Sequence, residues 1–438
     1  MKKKYITFSI VTLVLLVALI TSFNYFKTTN TYVENNSNNQ TKITKGISMN
    51  LEQTAGAGDY KTVTQSGWPT EGYKFNTELS RCENGSTLSW DDTKKAVIVS
   101  GNLSDKCYVY FDIYVPPRFD ETCDTSTLAC YIAKQYTGTQ GDNSLYYHDS
   151  NLTNGAGDNS YRYAGANPNN FVCFGSDASP CPTDNLYRII GVFGEGYHGV
   201  SEKQLVKLIK YDYANSNLLG TDGDYVTTST PDALYYKGSL TTIYRYYWNY
   251  YKATNSATNT WSTSLLNKTN LNTNFINNIG MTWANKIATV TWKVGGNTYA
   301  NISQSVPATT YQNEIVNPVT TNTTDNATTY SAKIGLMYVS EYGFATEPSA
   351  WTTKLYSYDG SVNGSTIRSQ NWMHMGYYDW TISRNSDYSY IAFIVNSTGD
   401  VHHNNVGNYI GVRPSFNLES SVSYVSGLGS MSDPIVIN

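Results

Sequence analysis

An apolar run near the start of the chain constrains its fold more than any other feature. The run extends from Tyr5 to Phe26 without a charged residue, between three lysines at positions 2–4 and Lys27. It is long enough to cross a bilayer as one helix, and flanking lysines stay in the cytoplasm. We therefore predict a single-pass anchor over residues 1–27 in the cell membrane, with the remaining chain outside. The alternative is a cleaved signal peptide, although bulky residues stand where a cleavage site needs small ones.

Six cysteines all lie between positions 82 and 181. An even number of cysteines in an exported chain is typical of disulfides. We predict sequential pairing, in which the bonds are Cys82–Cys107, Cys123–Cys130 and Cys173–Cys181. Free buried thiols are the alternative for some of them. The chain has no Cys-x-x-Cys pair, so we predict no zinc site or other metal site.

The charge balance disfavours nucleic acid as a partner. The net charge is -4 and only 15% of the residues are charged, so the chain lacks the basic footprint of nucleic-acid-binding proteins. Its polarity comes from Asn, Thr, Ser and Tyr, which are common on extracellular β-rich surfaces and in proteins of AT-rich bacterial genomes alike. We predict no cofactor.

Composition divides the chain after the anchor into five segments. Residues 28–67 are polar and aperiodic, which predicts a flexible stalk. Residues 68–117 alternate apolar and polar side chains, which predicts a small all-β module that a disulfide stabilises. A connector over residues 118–157 leads into a main domain over residues 158–424, and residues 425–438 form a tail.

Several elements of the main domain and connector follow from local patterns. Residues 126–135 have helical spacing and predict a short helix that Asp124 or Ser126 caps at its N-terminus. Residues 185–193 and 205–210 predict a hairpin. Its turn, residues 194–199, matches the dinucleotide pattern G-x-G-x-x-G, but we predict that the glycines stand between two strands rather than opening a helix, and no βαβ unit surrounds them. We therefore predict no nucleotide site there.

The later elements are predicted in the same way. Residues 261–267 begin a helix that residues 271–279 continue or follow, and residues 287–294 are strand-like. A Thr/Asn-rich loop is predicted over residues 309–330. A buried strand is predicted over residues 334–342.

The last patterned segment, residues 372–418, carries the main functional signal. Two apolar strand-like pieces, Ile391–Val395 and residues 410–412, hold between them a dense set of Asn, Ser, Asp, His and Tyr. Tyr and Asn give contact area and adaptable polar contacts at low entropic cost. This composition indicates a recognition surface.

The order of several sequence pieces resembles a known family. The pieces are NSYRYAGANPNNFVCFG, NLYRIIGVF, LVKLIKYDYA, WSTSLLN, KIGLMYVSEYGFA, NWMHMGYYDWTISR and GVRPSFNL, within residues 158–420. They resemble extracytoplasmic proteins of gut Firmicutes that share a C-type-lectin-like domain, the fold also used by formylglycine-generating enzymes. The resemblance implies an α+β fold with two short helices against a twisted antiparallel sheet.

Two of the chemistries known for that fold lack their residues here. The calcium-binding lectins use Glu-Pro-Asn or Gln-Pro-Asp with Trp-Asn-Asp, whereas this chain has Glu347-Pro348-Ser349 and Trp380-Thr381-Ile382. The formylglycine-generating enzymes use late paired cysteines, and no cysteine follows Cys181. His402 and His403 stand near Asp400, but adjacent polar residues in a loop are weak evidence for a catalytic triad.

The third known use is a binding surface that diversity-generating retroelements vary at adenines of Asn-type codons. Polar and aromatic tips of the last segment belong to the set of residues that such variation yields. The candidate contact residues are Tyr377, Tyr378, Asn385, Asp387, Tyr388, Tyr390, Asn396, Asp400, His402, His403, Asn404, Asn405, Asn408 and Tyr409. A fixed surface adhesin of the same fold is the alternative, because the whole chain is rich in Asn, Ser and Tyr.

Framework residues of this segment have structural roles to predict. We expect Trp372 and Trp380 in the core rather than as ligand platforms, and Arg413 paired with a buried carboxylate or backbone carbonyls.

The sequence as a whole predicts a membrane-anchored bacterial surface protein that binds an extracellular protein or glycan without covalent chemistry. The alternative is an extracytoplasmic glycan-processing or other enzyme on the same fold, although no catalytic residue can be named.

Overall fold

The computed structural model describes residues 46–64, 67–69, 71–102, 104–229, 236–249, 258–318, 327–358 and 366–438. The predicted anchor, its cleavage alternative and half of the predicted stalk lie outside these residues. Within the described ranges, no helix is long and apolar enough to cross a membrane. The chain divides between Pro117 and Arg118 into two compact units.

The first unit is a β module with two sheets. The larger sheet contains β1 (Ile47–Glu52), β2 (Tyr60–Val63), β3 (Tyr73–Phe75), β4 (Arg81–Cys82) and β7 (Cys107–Ile113), and the hairpin of β5 (Thr87–Asp91) and β6 (Ala96–Ser100) forms the smaller one. β1 runs parallel to β7, and β2, β3 and β4 pair antiparallel with their neighbours.

The predicted stalk boundary is wrong for β1 and β2, which lie inside residues 28–67. Met49 and Leu51 of β1 stand opposite Val109 and Phe111 of β7, and all four are buried in one core cluster. Burial of these side chains outweighs the polar composition of the surrounding residues, on which the stalk prediction depended.

The predicted disulfides are confirmed. Cysteines pair sequentially, and no described cysteine is free. Cys82–Cys107 joins β4 to β7 directly across the sheet, where the two residues are register partners.

The second unit is mixed α+β, as the sequence predicts, and it contains several sheets. The largest has the order β18-β23-β12-β11-β9-β8, with β10 beside β11. Its strands are β8 (Leu145–His148), β9 (Ser160–Tyr163), β10 (Phe171–Cys173), β11 (Leu186–Phe193), β12 (Leu205–Lys210), β18 (Ile334–Gly335) and β23 (Ser415–Asn417). Every residue of β11 and β12 is buried, including the charged residues Arg188, Lys207 and Lys210.

Four smaller sheets complete the strands of this unit. They contain β13 (Asp224–Ser229), β14 (Ile243–Tyr247) and β22 (Tyr409–Ile410); β15 (Val290–Lys293) and β17 (Thr329–Ala332); β16 (Gly296–Asn297), β19 (Asp379–Asn385), β20 (Ile391–Val395) and β21 (Val401–Asn405); and β24 (Tyr424–Ser426) and β25 (Val436–Ile437).

The helices are short. They are α1 (Phe119–Thr122), α2 (Leu128–Ala133), α3 (Glu195–His198), α4 (Ser216–Leu219), α5 (Ile276–Asn278), α6 (Met281–Ala284), α7 (Tyr299–Ile302), α8 (Pro307–Tyr311), α9 (Val339–Phe344) and α10 (Thr366–Ser369). π-helical turns over Leu266–Phe275 and Gln312–Val316 continue into α5 and out of α8. Single 3-10 turns cover Asp142–Ser144, Thr183–Asn185, Trp261–Thr263, Pro348–Ala350 and Leu355–Tyr358.

The predicted hairpin of β11 and β12 is confirmed, and the strands pair antiparallel. The glycine motif between them does open a helix, contrary to the prediction, but α3 is one turn long and no parallel strand follows. Gly191 is required where β9 approaches, because a Cβ there would stand 2.2 Å from the carbonyl oxygen of Tyr161. The register of β11 with β12 shifts at this point.

The connector and tail predictions are wrong. α2 and β8 supply Leu128, Ile132 and Leu145 to the main core, because apolar residues in this Gly/Asn-rich stretch suffice for a helix and an edge strand. β25 in the predicted tail contributes buried Ile437 to the same core. The helix over residues 126–135 is confirmed as α2, but Thr127, not Asp124 or Ser126, caps it through a hydrogen bond from Cys130 N.

Two later predictions are also wrong. Residues 334–342 form only the two-residue strand β18 before α9 begins, because Glu341 accepts a hydrogen bond from Tyr338 N and caps the helix. The predicted loop over residues 309–330 contains the end of α8, the π-helical turn and the start of β17. The predicted helix over residues 261–279 is present, with 3-10 and π-helical turns before α5.

Arg413 and Asp379 form a buried ion pair, with 2.5 Å between Nε and Oδ2, which confirms the predicted partner of Arg413. We predict that Arg413→Leu lowers the free energy of unfolding by about 3–5 kcal/mol, because it leaves a buried carboxylate without its cation. Denaturant titration of the full chain measures this change. Lys203→Met, at an exposed site, is the control and should change the value by less than about 0.5 kcal/mol; equal effects would contradict the prediction.

Candidate functional site

The candidate site is built on the sheet of β19, β20 and β21. Every residue of β19 is buried, and Trp380 stands opposite Ile394 of β20. The Trp380 indole donates to the carbonyl of Tyr246 at 3.0 Å, and the Trp372 indole donates to the carbonyl of Tyr163 at 2.9 Å. Both rings are buried, at 0% and 1% exposure, so the prediction that they are core residues is confirmed.

A cleft of ≈ 330 Å³ lies where this sheet approaches the sheet of β13, β14 and β22. Five of the residues predicted from sequence line it together with two others. The lining residues are Arg245, Tyr377, Tyr378, Asn404, Asn408, Tyr409 and Ile410. The lining therefore combines aromatic rings, two amides and one cation.

Aromatic contacts hold the two tyrosine walls of the cleft. The ring of Tyr409 lies 4.0 Å from that of Tyr247, and their hydroxyls are hydrogen-bonded. The same two residues are register partners in β22 and β14. On the other wall, Tyr377 meets Tyr378 edge to face at 5.6 Å. Tyr378 is 38% exposed, which leaves its ring available to a ligand.

Contacts with Tyr213 and Gly411 fix the wall of the cleft that Tyr377 and Tyr378 form. The Tyr213 hydroxyl donates to the Tyr377 carbonyl at 2.9 Å, and their rings lie 5.8 Å apart. A Cβ at Gly411 would stand 2.5 Å from the Tyr213 ring and 2.7 Å from the Tyr378 carbonyl. Gly411 is therefore required for the close approach that positions this wall.

The side of the cleft that carries Asn404 and Asn408 is formed by the end of β21 and the turn that follows it. Asn404 Oδ1 accepts hydrogen bonds from the Asn405 backbone nitrogen at 2.8 Å and from Asn408 Nδ2 at 2.5 Å. Asn405 Oδ1 accepts from Gly407 N at 2.9 Å. These bonds order the two amides that face the cleft, while Asn405 serves the turn itself.

A second exposed group is the β19–β20 loop. Asp387 is exposed, as are Tyr388 and Tyr390 at 51% and 43%, and the two rings lie 5.9 Å apart. Asn385 is only 1% exposed, and its Oδ1 accepts from the backbone nitrogens of Asp387 and Tyr388. Asn385 therefore shapes the loop, and its burial removes it from the candidate contact residues.

Burial also removes Asp400 from the candidate contact residues. It is 8% exposed and its carboxylate accepts from Asn396 Nδ2 at 2.9 Å and from the hydroxyl of Thr398. Asn396 and Asp400 close the β20–β21 turn. These side-chain bonds are local to the turn, and sequence alone does not separate a turn residue from an exposed tip.

The histidines form a ring cluster with Tyr299. Ring centroids of His402 and His403 lie 5.5 Å and 5.0 Å from that of Tyr299. Burial, and the neighbouring His402, lower the pKa of His403. His402 Nδ1 lies 3.1 Å from the carbonyl oxygen of His403, and the Asp400 carboxylate is engaged in its turn. Among the described residues, no three His, Cys, Asp or Glu side chains are placed to hold a metal ion.

Sequence reasoning missed Arg245 and Asn259. Arg245 is the one charged residue in the sequence of the Tyr-rich strand β14, and this contrast is the sequence signal that could have marked it as a candidate contact residue. Asn259 is fully buried, and its Nδ2 contacts the carbonyls of Asn385, Tyr388 and Ile391 at 2.8, 3.0 and 2.8 Å. An Asn in a Thr/Asn-rich stretch carries no local sign of this role.

Burial opposes ionisation of Asp379 in its ion pair with Arg413. Burial raises the pKa of Asp379 to about 6, and Arg413 opposes that rise. The carboxylate is therefore ionised at neutral pH beside its cation.

Comparisons with known proteins gave no match to a family model, to a curated protein or to a solved structure. The resemblance to C-type-lectin-like proteins therefore stays a prediction.

Asn259 should control the order of the β19–β20 loop. We predict that Asn259→Ala lowers the free energy of unfolding by about 1–3 kcal/mol, because three loop carbonyls lose a buried donor. Amide hydrogen exchange of residues 386–391 should accelerate, as measured by mass spectrometry. Exchange in β11 serves as the internal control, and a uniform acceleration of both regions would contradict a local role.

Proposed function

We propose that this chain is a membrane-anchored bacterial surface protein whose second unit is a C-type-lectin-like domain. In this proposal the cleft of Tyr378, Asn408 and Arg245 binds an extracellular protein or glycan. The observation that carries the proposal is the convergence of five sequence-predicted residues on one cleft of ≈ 330 Å³. Rigid tyrosines supply contact area there, and ordered amides supply hydrogen bonds.

The composition of the cleft favours binding over catalysis. Glycoside hydrolysis uses two facing carboxyl groups, and the cleft lining contains no carboxylate. A calcium-dependent mechanism needs several convergent oxygen ligands, of which carboxylates are the usual source. The supported mechanism is noncovalent recognition without a metal ion.

Diversification of the last segment is a second part of the proposal. It is supported by the exposure of Asp387, Tyr388, Tyr390 and Asn408, whose residue types belong to the set produced by adenine mutagenesis. A fixed adhesin would use the same cleft.

Binding should depend on the exposed wall of the cleft. We predict that Tyr378→Ala weakens binding at least tenfold, which corresponds to about 1.4 kcal/mol, because aromatic residues in the centre of an interface carry much of its energy. The measurement is a screen of the full chain against glycans and surface proteins, followed by titration of each hit. Tyr356→Ala, an exposed tyrosine outside the cleft, is the matched control.

The outcomes of this experiment separate the mechanisms. Equal binding by the two variants would exclude the cleft as the site. Loss of binding on addition of a chelator would revive the calcium-dependent interpretation.

The coding DNA tests diversification independently. We expect a near-identical repeat of the region encoding residues 385–409 nearby, which differs at adenines, together with a reverse transcriptase gene. Sequencing of the locus decides this, and absence of both features would leave only the fixed adhesin.

A further inference from the structure

The core of the second unit holds an amine and a carboxyl group in direct contact. Lys207 in β12 and Glu341 in α9 approach to 2.7 Å between Nζ and Oε1, and neither side chain is exposed (0% each). They lie 134 positions apart in the chain (341 minus 207), on two different elements. A contact of this kind is either a buried ion pair or the reactant state of a condensation.

Aromatic rings enclose the amine. The Lys207 Nζ lies 4.5 Å from the ring centroid of Tyr338, 4.6 Å from that of Trp292 and 5.1 Å from that of Tyr197. Burial lowers the pKa of Lys207 to about 8, against the opposing effect of Glu341. A desolvated lysine of this kind is the activated form of the nucleophile.

The carboxyl group is held at both oxygens. The Tyr197 hydroxyl donates to Glu341 Oε1 and also lies 3.1 Å from Lys207 Nζ. The backbone nitrogen of Tyr338 donates to Oε2 at 2.8 Å. The backbone donor at Oε2 is suited to stabilise a developing negative charge, and the Tyr197 hydroxyl at Oε1 is suited to proton transfer.

We propose that Lys207 and Glu341 condense spontaneously to an intramolecular amide bond, which joins β12 to α9 covalently. The proposal is independent of the binding function. It gives the protein a permanent cross-link between β12 of the largest sheet and α9, in addition to its disulfides.

The step balances without a cofactor or oxidant. A proton passes from the Lys207 ammonium to the Glu341 carboxylate, which leaves a neutral amine and a neutral acid. The Nζ lone pair attacks Cδ and forms the N–C bond, while Oε2 takes the negative charge and accepts from Tyr338 N–H. The C–Oε1 bond then breaks, and Oε1 leaves as water with its own proton and one that the Tyr197 hydroxyl relays from Nζ. The products are one secondary amide and one water.

Mass spectrometry of the full chain tests the proposal. After reduction and denaturation, the protein should be lighter than its sequence by the mass of one water, at one per chain. Trypsin should fail to cleave after Lys207, and a branched peptide should join the segment of Lys207 to that of Glu341. A full sequence mass with cleavage after Lys207 would overturn the proposal and identify a plain ion pair.

Two variants test whether Lys207 supplies the amine and Glu341 the carboxyl group of the amide bond. Lys207→Met should show the full sequence mass of that variant. Glu341→Gln should lose one ammonia and reach the same final mass as the wild-type protein, because the same amide forms. The peptide map of the wild-type chain decides the question even if both variants fail to fold.

A neighbouring amide provides a second discriminating outcome. Asn417 is the register partner of Lys207 in β23 and its side chain is buried. A branched peptide that contains Asn417 in place of Glu341, with the loss of ammonia, would contradict the assigned acceptor.

Discussion

The ion pair of Asp379 and Arg413 is the interaction on which the candidate site depends. A buried charge is tolerated only with a partner and further hydrogen bonds. Arg413 meets both needs, since its Nη2 also donates to the Met373 carbonyl at 2.7 Å. The pair therefore holds together the segment before β19, the start of β19 and the segment after β22.

Its position explains why the cleft walls are fixed. Tyr377 and Tyr378 directly precede Asp379, and Tyr409 and Ile410 come shortly before Arg413. Between them the backbone nitrogen of Trp380 donates to the Gly411 carbonyl at 3.1 Å. This hydrogen bond joins the backbone segments that follow the two tyrosine walls, so it limits the motion of the walls. A preorganised cleft loses less entropy when a ligand binds.

Sequence patterns predicted the elements that depend on local or strongly periodic signals. The β11–β12 hairpin consists of two largely apolar strands with a Gly-rich turn between them. The even cysteine count in a predicted exported chain indicates disulfides, and the sequential pairing was one choice among fifteen connectivities. β18 and α9 were not separable, because Val339 and Tyr342 suit a buried strand and a buried helix equally. Only the capping bond of Glu341, a contact across three residues, decides between them. β1 was missed because its core partners are about 60 residues away in β7, a non-local contact that no local window contains.

The candidate site was predictable as a segment but not as a set of contacts. Exposed tips and turn residues have the same composition, because Asn and Asp that bond their own backbone are also common on binding surfaces. Asn259 illustrates the remaining gap: its function arises from three carbonyls that come together only in the folded chain.

The turn residues also limit how far the surface can vary. Asn385 accepts hydrogen bonds from the backbone nitrogens of Asp387 and Tyr388, and the side chains of Asn396 and Asp400 bond each other within a turn. A Tyr or Gly at any of these positions would leave a hydrogen-bonding group of the turn without its partner. Asp387, Tyr388 and Tyr390 expose their side chains, and replacement there changes the surface without that cost. Variation compatible with this fold is therefore concentrated at exposed tips. A diversified set of sequences would have to keep the amides that shape the loops.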